Sequence, residues 1–190
     1  MSTTTDTSQA SGHRERADLV ETLAKHRHFL RFTVRDLTEE QAGRATTASA
    51  LTLSGLLKHV ADTEAGWVSF ILGGPEAMAS DQEGNRQQGA NTGGDATHWS
   101  QMSDPRFVVK PGTTLTALLA RYDAVARRTD DVVATVDLDA AHPLPAAPWF
   151  EPGTSWSARR VLLHIIAETA QHAGHADIIR ETLDGAKSMG

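Results

Sequence analysis

The sequence predicts an all-α fold, and three observations predict it. Four stretches carry apolar residues at helical spacing, none alternates with period two for long enough to form a central strand, and the connecting segments are polar or rich in proline. No repeat of solenoid length recurs along the chain. The expected architecture is a four-helix bundle.

The first helix is expected from about Arg14 to Asp36, with Leu19, Leu23, Leu30 and Val34 on one side. Residues 1–12 are polar and lack the apolar centre of a secretory signal, so they are expected to be a disordered tail, with one domain over 13–190. The stretch LTEEQAGRATTASALT is rich in small and hydroxyl residues, and Thr52 or Ser54 near its end can cap the next helix. That second helix runs through LLKHVADTEAGWVSFIL and is expected to stop at Gly73 and Gly74. The polar residues from Gly73 to Gly112 then read as a long crossover loop, in which only Phe107-Val108-Val109 looks locally extended.

Thr113 or Thr114 can cap the third helix, which carries Leu115, Leu118, Leu119, Tyr122, Val125 and Val132. The following segment, DLDAAHPLPAAPWFEPGTSW, holds four of the seven prolines and is expected to contain no regular element. The fourth helix begins near Ser155 or Ser157 and ends at about Leu183, before Asp184-Gly185. A twenty-residue helix is about 30 Å long, and the second connection has ample length to travel back along one. The expected order is therefore up-down-down-up, with the long crossover between helices two and three.

Composition removes several classes of function. The 190 residues fit one domain, and with no cysteine the chain has neither disulfides nor thiolate ligands, so a metal would be held by His, Asp or Glu. The net charge of -6, without a Lys/Arg cluster, sets nucleic acid aside. No apolar run approaches the roughly 20 residues needed to span a bilayer. No membrane association is expected, and the expected location is cytoplasmic.

One constellation stands out. The last helix reads SARRVLLHIIAETAQHAGHADIIRETL, and its His164, Glu168, His172 and His175 fall within about 80° of one face. The stripe lies among Leu162, Ile165, Ile166, Ile178 and Ile179, so its ionisable groups face partly inward and need partners, and a metal is one. Glu168 and His172, four residues apart, point the same way one turn apart. His59 stands early in helix two and His172 late in helix four, so they meet if those helices run antiparallel, which is the expected topology. These residues make a three-ligand site.

KHVADTEAGW, with His59 and Trp67, and the later HIIAETAQHAGHADIIRE resemble the DinB superfamily, and most closely its mini-circle-protein-like branch. The resemblance covers nearly the whole chain after the tail. It implies three metal ligands, one from helix two and two from helix four. The related mycothiol-dependent maleylpyruvate isomerase branch uses His, Glu and His, a pattern that falls on His59, Glu168 and His172. Other relatives carry H-x-x-x-H on the last helix, where this chain has His164 before Glu168 and His172 before His175. The resemblance implies a thiol-dependent S-transferase or isomerase that activates a low-molecular-weight thiol such as mycothiol.

Two histidines and one carboxylate leave open positions on a divalent ion, with zinc expected and nickel, manganese or iron also suited to the donors. His175 is the expected catalytic residue, moving a proton beside the metal. A fourth ligand or a supporting partner are its other readings. The rival functions are a metal-dependent hydrolase using bound water and a non-catalytic, stress-associated metal-binding dimer. A small-molecule substrate is the expected partner, and a homodimer is left open.

For the remaining candidates the ordinary structural reading is preferred. His164 is expected to support Glu168, Asp62 to lean toward His59, and Glu64 to be solvated. His13, His26, His28, His98 and His142 carry no functional expectation. Trp67, Trp149, Phe150 and Trp156 are expected as core or loop anchors, the loop aromatics also walling a pocket. Arg159 and Arg160 are expected on a solvated face.

Overall fold

The computed structural model describes residues 3–87 and 104–188. The chain is all-α, with helices α1 (Thr3–Phe32), α2 (Glu39–Ala42), α3 (Leu53–Gln87), α4 (Leu115–Thr135) and α5 (Ala158–Asp184). A 3-10 turn at Pro105–Phe107 precedes α4, and two short strands, β1 (Ala141–Pro143) and β2 (Ser155–Ser157), precede α5. Among the described residues no helix is long and apolar enough to cross a membrane.

Paired side chains establish the direction of each helix. His59 and Trp67 of α3 meet His172 and His164 of α5, so residue numbers rise on one helix as they fall on the other, and the two are antiparallel. Asp62 and Ser69 of α3 meet Arg121 and Arg128 of α4 with numbers rising together, so this pair is parallel. Glu15 of α1 and Thr33 just beyond its end meet Arg159 and Arg180 of α5 in the same sense, and Arg27 and Arg31 meet Asp130 and Asp123 of α4 in the opposite one. The bundle is up-down-down-up.

Four departures from the expected elements have local causes. α1 is helical from Thr3, so residues 3–12, expected as a disordered tail, continue its backbone; no proline interrupts them, and extending a nucleated helix is far easier than starting one. The linker before α3 contains α2, whose Thr38 and Gln41 form a reciprocal capping box. The expected stop at Gly73-Gly74 is a break rather than an end: Gly74 has φ 73° and ψ −163°, a region essentially confined to glycine, and Pro75 restarts the helix where its missing N–H is harmless. Finally, the proline-rich segment forms a two-stranded antiparallel ribbon, with His142 opposite Trp156. Pro143 is tolerated because it ends its strand in a ribbon made only of edges.

The buried apolar residues form two clusters. One gathers Leu23, Trp67, Phe70, Val133 and Leu162, the other Leu30, Leu56, Tyr122, Ala176 and Ile179. Each fully buried large side chain contributes about 1.5–3 kcal/mol by leaving water. Between the clusters each bundle helix inserts one buried polar residue: Arg27, Glu64, Thr129 and Thr169. Glu64, expected in solvent, is 1% exposed; the Arg27 guanidinium and the Thr129 hydroxyl both donate to it, and Arg27 also donates to Asp130 at 2.8 Å. Burial opposes the Arg27 charge, but Glu64 and Asp130 outweigh it and raise the guanidinium pKa.

Removing Glu64 leaves the buried Arg27 guanidinium with only the part-exposed Asp130, at a cost of up to about 3–5 kcal/mol. Glu64→Leu should therefore lower the melting temperature by roughly 6–20 °C at about 2–4 °C per kcal/mol for a domain of this size. The double variant Arg27→Met/Glu64→Leu should recover most of that loss, as read by thermal unfolding followed by circular dichroism. A second expectation concerns Gly74, where an added Cβ would lie 3.2 Å from His142 Nδ1. Gly74→Ala should cost about 1–3 kcal/mol through backbone strain, measured by denaturant unfolding, whereas the exposed Ala79→Gly should cost about 1 kcal/mol or less.

Candidate metal centre

α3 brings His59 into the bundle near its N-terminal end, two turns after Leu53. The helix is central, packed against α4, α5, β1 and the 3-10 turn, so almost every residue from Leu53 to Ile71 is buried. α5 starts at the opposite end, capped by Ser157, whose side chain accepts from the Arg160 N–H. It ends at Gly185 in the left-handed conformation. Running antiparallel to α3, it carries Glu168 and His172 to the level of His59.

The three side chains converge. One donor atom from each of His59, Glu168 and His172 lies within 4.8 Å of the other two, with His172 Nε2 3.6 Å from Glu168 Oε2. Ligands held about 2.0–2.2 Å from a common ion stand about 3–4 Å from one another, so the donors are spaced as a cation would need them after small adjustments. His59 and His172 meet edge to face, their ring centroids 4.8 Å apart. Both are buried and Glu168 is partly so. The trio fits a divalent ion in spacing and in donor chemistry.

Electrostatics prepares the same state. Burial, helped by the neighbouring His172 and Arg106, holds the His59 imidazole down at about 4, so it is neutral at pH 7 with a lone pair to offer. The His172 imidazole, against the opposing effect of burial, keeps the Glu168 carboxyl below its usual range and therefore ionised. His164, expected as a supporting residue, places Nε2 4.0 Å from the other Glu168 oxygen. Its ring stands edge-on to Trp67 and Trp156, which stack on each other at 5.2 Å. Burial pushes the His164 pKa down as well.

His175 Nδ1 lies 3.4 Å from His172 Nδ1, and both residues line a cavity of about 740 Å³. Glu39, Asp104, Leu51, Thr52, Phe107 and Val109 are among the other lining residues. The loop of residues 137 to 156, expected as a wall, does not line it. Trp149 is 76% exposed, and Phe150 packs on Trp156 away from this cavity; Trp156 reaches the site only through His164. Asp62 pairs with Lys58 and Arg121 rather than leaning on His59.

Arg159 is engaged by Glu15 and Asp139, while Arg160 lies over the Trp156 ring. His142 packs edge-on to Phe70. His98 lies outside the described residues. The loop of residues 73 to 112 is expected to border the pocket, and its Asp104, Phe107, Val108 and Val109 line the cavity; sequence reasoning missed that Phe107 lies on His59 and missed the linker from Gly43 to Ser54 as a wall. Neither carries a local chemical signal; both are brought there by how the connections fold back.

Comparison with known proteins agrees with the fold. The chain is similar to a conserved protein from Enterococcus faecalis whose crystal structure superposes with a TM-score of 0.62 at 15% identity, over 88% of this chain and 96% of that one. At that identity the likeness concerns the fold alone. No curated protein matches the sequence. A family model does, over residues 18–185, from the middle of α1 to the cap of α5. The chain belongs to the mycothiol S-transferase family.

Proposed function

We propose that this protein is a metal-dependent thiol S-transferase that uses a low-molecular-weight thiol such as mycothiol, with His59, Glu168 and His172 as ligands and zinc as the native ion. The observation that carries this reading is the convergence of the three donors at the wall of a cavity that His175 also lines. A divalent ion held there supplies Lewis acidity that lowers the pKa of a thiol toward neutrality.

The chain's own residues supply the rest. The His175 Nδ1 lone pair, only loosely engaged with His172 at 3.4 Å, takes the thiol proton as the ring turns to the cavity. The sulfur then bonds to an electrophilic carbon, and the leaving group departs with the bonding electron pair. Leu51, Phe107 and Val109 exclude water from one side, while the hydroxyls of Ser49, Thr52 and Thr113 can hydrogen-bond to a polar cosubstrate. The family weighs for transfer over hydrolysis, which the same ligands could also serve.

The protein loaded with zinc should hold about one ion per chain. His59→Ala and His172→Ala should each weaken binding by more than the roughly 10- to 100-fold that loss of a supporting partner produces, measured by competition with a chromophoric chelator. Retention of full affinity in His59→Ala would remove α3 from the centre. His175→Ala should keep its ion but lose about 10²- to 10⁴-fold in kcat/KM for conjugating mycothiol to an alkylating electrophile. Loss of the ion in that variant would make His175 a ligand, and undiminished turnover would leave it without a role.

A further inference from the structure

The turn at Pro105–Phe107 sits against the first turns of α3 in an unusual way. Gly55, buried on α3, has the Phe107 carbonyl oxygen where its side chain would be: an added Cβ would lie 2.4 Å from that atom. The turn is fastened on both sides. Lys58 Nζ donates to the Arg106 carbonyl at 3.0 Å, and Asp104 accepts from the Arg106 backbone N–H and from its guanidinium.

The result is that the Phe107 ring lies on His59. Their centroids are 4.2 Å apart with the planes 35° from parallel, while the His172 ring is 5.9 Å from the same phenyl group. His59 therefore has His172 roughly perpendicular to it and a hydrocarbon ring tilted against it. An imidazole on an otherwise smooth α-helix can rotate about χ2 with little resistance, because that torsion is broad. Here rotation would drive the ring into Phe107 or His172.

We propose that Phe107 is a positioning residue for His59, fixing the ring plane that turns its nitrogen toward Glu168 and His172, and that Gly55 is required because it lets the turn come close enough. The inference rests on the metal-centre reading for its consequence, but not for its geometry. Holding a ligand in its bound orientation removes a freedom that would otherwise be lost on binding, so the effect is on affinity and coordination geometry.

The test uses the full chain labelled with ¹³C,¹⁵N-histidine, alone and loaded with Co(II). In the metal-free wild type the His59 ring protons should show the upfield shift of a group seated on an aromatic face. Phe107→Ala should abolish that shift, weaken Co(II) binding about tenfold and alter the visible Co(II) spectrum, with the melting temperature unchanged. Gly55→Ala should reproduce the change in shift with Phe107 still present, and Phe107→Tyr should restore both shift and affinity. Wild-type His59 signals in Phe107→Ala would overturn the proposal. So would a lost shift with unchanged Co(II) affinity, or a lower melting temperature that accounts for the whole effect. A wild-type protein that takes up no Co(II) would instead sink the metal-centre reading, and the metal-free ring shifts would still decide whether Phe107 holds His59.

Discussion

A carboxylate buried in the middle of the bundle must have partners, and Glu64 has them on two other helices. Arg27 reaches it from α1 and Thr129 from α4, between two apolar clusters that by themselves would tolerate sliding. Apolar contacts are forgiving of small shifts along a helix axis, whereas a forked guanidinium facing a carboxylate is not. The pair adds less to stability than its burial suggests, since two charges have been taken out of water. What it supplies is register. α3 is the helix that presents His59, and Glu64 ties its height to α1 and α4.

The polar layer also explains how the site and the core share one helix. From Leu53 to Ile71, α3 has hardly any solvated face, and His59, Glu64 and Trp67 point in different directions yet are all buried. His59 meets His172, Glu64 the Arg27 side, and Trp67 the indole of Trp156 and the ring of His164. His164 in turn flanks Glu168. The candidate ligands are thus embedded in packing from both ends of the bundle rather than mounted on a surface.

Much of this was legible in the sequence. The helical periods of the bundle helices, the Ser157 and Thr114 caps and the Gly185 stop are local signals, and each reappears in the structure. The length of their connection permits the parallel packing of α3 and α4, and that topology lets His59 meet Glu168 and His172. Glu64 was misread because its direction was judged only against His59, as though α3 had one wet side. The break at Gly73-Gly74 was visible, but the helix beyond it was not expected, although Pro75 and Glu76 are ordinary first-turn residues. The approach of the 3-10 turn to Gly55 had no signal at all, since it depends on a chain segment some fifty residues away.

The cavity has two kinds of wall, and they answer to different constraints. His172 and His175 belong to α5, where a change disturbs the bundle and the candidate ligands together. Ser49, Ala50, Leu51 and Thr52 belong to a linker with little regular structure, much of it exposed. Substitutions there can reshape the chamber while leaving the helices that carry the donors in place. A lineage built on this plan can reshape what the cavity admits by drift in a single connection, with His59, Glu168 and His172 still held together by the helices.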